Sequence, residues 1–167
     1  MTSRLKDGYF WAAFLIIFVT IYFSIATYLH WFDFGFFVGE FRFNVWLSWA
    51  GVLFVAFYTP IYYVLKRRFP TKIKALLGIH VIANLSAFML ISIHFAHQLG
   101  RSSQYYPDLG TGLVLYLVML IMAITGILQR FGIVQGQVRK WSFIHTAVAI
   151  SFYLVIFVHI LHGIGVI

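Results

Sequence analysis

The chain has no cysteine among its 167 residues. That excludes disulfides, iron–sulfur clusters, thiolate zinc sites and the C-x-x-C-H motif that attaches haem covalently. Acidic residues are almost as scarce, with only four: Asp7, Asp33, Glu40 and Asp108. All four lie outside the long apolar runs, which argues against a carboxylate-lined path for protons or metal ions through a bilayer. Charged residues make up only 10% of the chain, and prolines number three. What fills the sequence instead is apolar: 62% hydrophobic and 20% aromatic, with a mean hydropathy of +0.93. A soluble domain cannot hide that much apolar surface, so the composition predicts an integral membrane protein.

The apolar residues fall into five runs, at about 9–30, 45–65, 75–99, 111–129 and 141–164. Each is long enough to cross a hydrocarbon core as a helix, and none alternates like an outer-membrane strand. The expected fold is an all-α membrane protein, a single domain (1–167) of five transmembrane helices. The first run reads as a spanning segment, not a cleaved signal. The stretch between Trp31 and Asn44 is rich in Phe and Trp, suits the membrane interface and is expected to form a short surface helix. Pro60 is expected to kink the second helix.

The net charge of +8 raises nucleic acid as a partner, but the basic residues sit in short connections, where they set topology. Ten of the twelve Lys and Arg fall in the N-terminal tail, the 66–74 loop and the 130–140 loop. The positive-inside rule then places the N-terminus in the cytoplasm and the C-terminus outside, in a multi-pass protein of the cytoplasmic membrane. The third and fifth helices would run parallel.

Those two helices carry the same histidine grid. His80, His94 and His97 repeat the spacing of His145, His159 and His162, so six of the seven histidines read His-x13-His-x2-His. Fourteen helical residues return to within roughly 40° of the starting direction after roughly 21 Å of rise. His80 and His94 therefore share one helix face, as do His145 and His159. On parallel helices they form two facing pairs, His80 with His145 and His94 with His159, one near each membrane surface. A facing imidazole pair fills both axial positions of a six-coordinate haem iron. Without cysteine, each would be a non-covalent haem b. A single intramembrane histidine is more often a hydrogen-bonded helix contact; four on one grid mark a site.

His97 and His162 fit the ligand face less well and are read as interfacial partners of a propionate or a loop, or as an alternative ligand. His30 is off the grid and is read as interfacial, with a quinone contact as the lesser reading. Gly112 and Gly126, also fourteen apart, lie on the fourth helix at the two haem levels. There a glycine would let a flat macrocycle approach the backbone; the alternative is ordinary small-residue helix packing. Arg42, Lys74, Arg101, Arg130 and Lys140 sit at helix ends, as propionate partners or as snorkelling side chains.

With these residues in hand, the segments GIHVIANLSAFMLISIHFAH and FIHTAVAISFYLVIFVHILH resemble the ligand helices of dihaem b-type membrane cytochromes. Cytochrome b of quinol–cytochrome c reductases is similar, including paired glycines beside the haems. So are ferric-reductase-like and NADPH-oxidase-like membrane domains, with ligand pairs on helices 3 and 5. The resemblance covers about Lys72 to Gly165; the first two helices match no such pattern. The chain lacks a Pro-Glu-Trp-Tyr quinol-oxidation motif, and YYPDLG is at best a faint echo of one. The resemblance implies an electron-transfer subunit of a membrane oxidoreductase complex in a respiratory chain, carrying two haems b with bis-histidine ligation and working with quinone. Partners would carry haem c, iron–sulfur or molybdenum. Asp33, Glu40 and Asp108 would be on the side where quinol protons leave. Alternatives are a ferric-reductase-like subunit fed by a separate flavoprotein, and a haem-free membrane anchor, against which the repeated grid speaks.

Overall fold

The computed structural model describes residues 7–102, 110–134, 136–163 and 165–166. Five long helices form: α1 (Gly8–Tyr28), α2 (Phe43–Arg68), α3 (Ile73–Leu99), α4 (Gly110–Arg130) and α5 (Val138–Gly163). All five are long and apolar enough to cross a membrane. The chain is a multi-pass membrane protein. At 27 residues, α3 is about 40 Å long, more than the ~30 Å hydrocarbon core requires.

One expectation about the first half needs correcting. The stretch between α1 and α2 holds a small antiparallel hairpin, β1 (Phe37–Val38) against β2 (Phe41–Arg42), where a surface helix was expected. Its Gly39 has φ +64°; glycine at the first central position is what a tight II′ hairpin turn demands. Trp46 Nε1 donates to Val38 O at 3.0 Å and fastens the hairpin to α2. Phe36 stacks on Phe43 with centroids 4.9 Å apart. These tertiary contacts outweigh the weak local helix tendency of Gly35 and Gly39. α2 continues through Pro60, as membrane helices tolerate.

The chain divides into two compact units, Met1–Pro107 and Asp108–Ile167. In the first, α1 and α2 both pack on α3. Small residues set these approaches, as in membranes where close backbone packing replaces hydrophobic drive. A Cβ on Gly51 of α2 would lie 2.9 Å from Ile91 Cγ1 and 3.0 Å from Ala87 O. A Cβ on Gly78 of α3 would lie 2.7 Å from the Tyr9 ring. In the second unit α4 packs on α5.

α1 ends in a Schellman motif: Trp31 N donates to Ala26 O at 2.8 Å and His30 N to Thr27 O at 3.1 Å. The residue in the left-handed position is His30, at φ +58°, where glycine is usual.

Candidate functional site

On α5 the two grid histidines occupy matching settings. His145 Nδ1 lies 2.9 Å from Thr125 Oγ1, and His159 Nδ1 lies 3.0 Å from Thr111 Oγ1. The Thr125 hydroxyl has one proton, and it goes back to the helix, to Ile121 O at 2.8 Å and Met122 O at 3.0 Å. Threonine in a helix commonly bonds this way. Thr125 therefore accepts from His145 Nδ1–H, and the ring's lone pair is at Nε2. Thr111 holds the same place relative to His159. An N–H tied to an acceptor on one side, with the opposite nitrogen carrying a lone pair, is the arrangement of metal-ligating histidines.

Each threonine is followed by a grid glycine. A Cβ on Gly126 would lie 3.3 Å from His145 Cε1, and one on Gly112 would lie 3.3 Å from His159 Cε1. The near neighbour of both glycines is thus an imidazole edge. Each Thr-Gly doublet forms a cradle: the hydroxyl pairs with the ring's Nδ1 and the missing methyl lets the ring come close.

On α3 the settings differ from one another. His94 Nδ1 donates to Asn44 O at 3.1 Å, which fixes the same tautomer as at His145. His80 is the exception. Asn84, one turn on, donates its Nδ2 to His80 O at 2.7 Å and to His80 Nδ1 at 3.1 Å. Here Nδ1 accepts, so a neutral ring carries its proton on Nε2. Tyr62 of α2 stacks on the ring with centroids 4.1 Å apart, and Tyr58 lies beyond at 6.2 Å. His80 can ligate a metal only after the Asn84 contact is exchanged for one with an acceptor.

Asn44 is fully buried, at 0% exposure, and serves both later histidines of α3. Its carbonyl receives His94, and its Nδ2 donates to His97 Nδ1 at 3.0 Å. Its own N–H goes to Phe34 O at 3.0 Å. His97 faces a cavity of about 450 Å³ that His30, Asp33, Arg42, Arg101 and Ser102 also line. His30 and His97 thus belong to one site in the first unit. His162, near the end of α5, is exposed, as are Lys74 and Lys140; Arg130 is half-buried. Asp108 lies outside the described residues. No group of three or more His, Cys, Asp or Glu able to hold a metal ion occurs among the described residues.

Three partners of the grid had a visible signal. Thr111-Gly112 and Thr125-Gly126 repeat as a doublet, and Asn84 stands four residues after His80. Asn44 had none, being 50 residues from His94.

Comparison with known protein families, curated proteins and solved structures finds no match to this chain.

Proposed function

We propose that the chain is a dihaem cytochrome b that carries electrons across a membrane between a quinone pool and a partner redox subunit. His80 with His145, and His94 with His159, would hold the two haems. One observation supports this most: His145 and His94 have their Nδ1 protons committed to acceptors, leaving Nε2 to bind iron, and His159 has the same type of partner. A haem held by these residues would supply single-electron transfer. The chain's own residues do the rest. Thr111, Thr125 and the Asn44 carbonyl hold the rings in orientation; as acceptors, Thr125 and the Asn44 carbonyl raise the basicity of their rings, which would tune potential. Asn84 must release His80 Nδ1 before that ring can ligate. By charge distribution, His80 and His145 would lie toward the cytoplasm and His94 and His159 toward the outside. Partners carrying haem c, iron–sulfur or molybdenum would complete the reaction.

The test is reduction of the purified, membrane-reconstituted chain by a short-chain quinol. Rapid reduction of the α-band absorbance supports the quinol-linked reading. A chain that dithionite reduces and quinol does not would be the flavoprotein-fed, ferric-reductase-like subunit instead. A folded chain with no haem would be a membrane anchor.

A further inference from the structure

The cavity below His97 is built for an anion. Its lining comes from four places in the first unit: His30 after α1, Asp33 in the connection, Arg42 at the N-cap of α2, and His97, Arg101 and Ser102 at the end of α3. Gly35 sits among three of these side chains. A Cβ there would lie 2.8 Å from Asp33 Oδ1, 3.1 Å from His97 Nε2 and 3.6 Å from Arg42 Nη1. Because Asn44 donates to His97 Nδ1, the proton of the neutral ring is on Nε2, beside Gly35.

The charges do not balance within the site. Arg42 and Arg101 bring two fixed positive charges, and Asp33 supplies the single carboxylate. That carboxylate is partly turned inward: its Oδ1 accepts from Gly35 N at 2.6 Å. Burial, and then the Arg42 guanidinium, push the Arg101 guanidinium below its ordinary pKa. Two guanidiniums that repel each other across a donor-rich cavity are stabilised by an anion placed between them. The guanidinium fork matches oxyanions in bidentate geometry. About 450 Å³ accommodates a small ligand or a headgroup. His30 lines this wall from the left-handed position that ends α1, where glycine is usual.

We propose that this cavity binds a phosphate-type oxyanion between Arg42 and Arg101, with His97 Nε2–H and Ser102 as further donors. The source is a lipid headgroup or free phosphate, and the site is independent of the haem assignment.

The test uses the purified full chain in a neutral detergent, with melting followed by tryptophan fluorescence. Inorganic phosphate is titrated at constant ionic strength; short-chain phosphatidic acid is titrated separately. A saturable rise in melting temperature with phosphate points to a soluble anion, and a rise with the lipid alone points to a headgroup site. Either supports the proposal if Arg42→Gln and Arg101→Gln each weaken binding tenfold or more. A third variant guards against misfolding: His30→Gly relaxes the α1 terminus and should melt higher while binding more weakly. Lys66→Gln with Arg67→Gln, in the last turn of α2, should bind as the wild type does. No saturable shift with either ligand, or equal shifts in wild type and both Arg variants, overturns the proposal. Haem content plays no part in the readout, so failure here leaves the cytochrome reading standing.

Discussion

The two units hold their grid histidines in different ways. In the second, a doublet on α4 repeats with the same fourteen-residue period as the histidines on α5, and both rings receive a Thr hydroxyl at Nδ1 and a glycine beside Cε1. One period, written twice, makes two equal cradles. In the first, the Nδ1 partners of His80 and His94 differ. One is a side-chain amide from the same helix, and the other is a main-chain carbonyl from α2. The contrast teaches that a repeated ligand spacing does not impose a repeated environment. Two sites built on the grid would share one wall and differ in the other, which is a physical basis for two unequal potentials.

Replacing ligands should break the comparison most severely. His145→Ala and His159→Ala should each remove one haem and leave the other, halving the reduced-minus-oxidised α-band. His80→Ala should match His145→Ala, and His94→Ala should match His159→Ala, in which haem survives. Loss of neither haem in His80→Ala would dissolve the pairing.

Removing the hydroxyls comes next. Thr125→Val keeps the volume and leaves His145 Nδ1–H without its acceptor. Loss of such an outer partner typically weakens metal affinity about 10- to 100-fold, so haem retention on dilution should fall accordingly. Thr111→Val should do the same to the other haem. An effect confined to one of the two would refute the equivalence of the cradles.

The glycines should give a smaller, matched effect. Adding a methyl at Gly112 or Gly126 places it 3.3 Å from an imidazole carbon, so each ring must give by a few tenths of an ångström. Overpacking at the mild end costs about 1 kcal/mol, or about 2–4 °C in a chain of this size. Calorimetry on Gly112→Ala and Gly126→Ala should show similar decreases, and Gly8→Ala, with open space around it, should show none.

Least affected should be Asn84→Leu. Asn84 donates to His80 Nδ1 and does not supply the acceptor that a ligating ring needs. Its loss should leave haem content within about twofold, since the partner that tunes a ligand is an acceptor. A loss as large as that in Thr125→Val would show that the amide turns to present its oxygen when the site is loaded.

The five helices were legible because their apolar runs are long and bounded by charged or aromatic stretches; the observed ends fall within three residues of those expected. The hairpin at Phe37–Arg42 was not legible. Its strands are two residues each, too short for alternation to register, and the side-chain anchor from Trp46 is a tertiary contact. The histidine grid was plain, and the glycines on α4 were visible; an imidazole edge lies beside each of them. The threonine before each glycine was overlooked because threonine is unremarkable in a membrane helix. Asn44 could not be read at all, since only the packing of α2 on α3 brings it to His94 and His97. The cluster at Arg42 and Arg101 was seen as scattered helix-end charges because nothing in the order of residues joins it.

The central claim is that these four histidines hold two haems b. A pyridine haemochrome assay of the purified chain, with protein determined on the same sample, tests it most directly. The account predicts two haems b per chain; a well-folded preparation with none would contradict it.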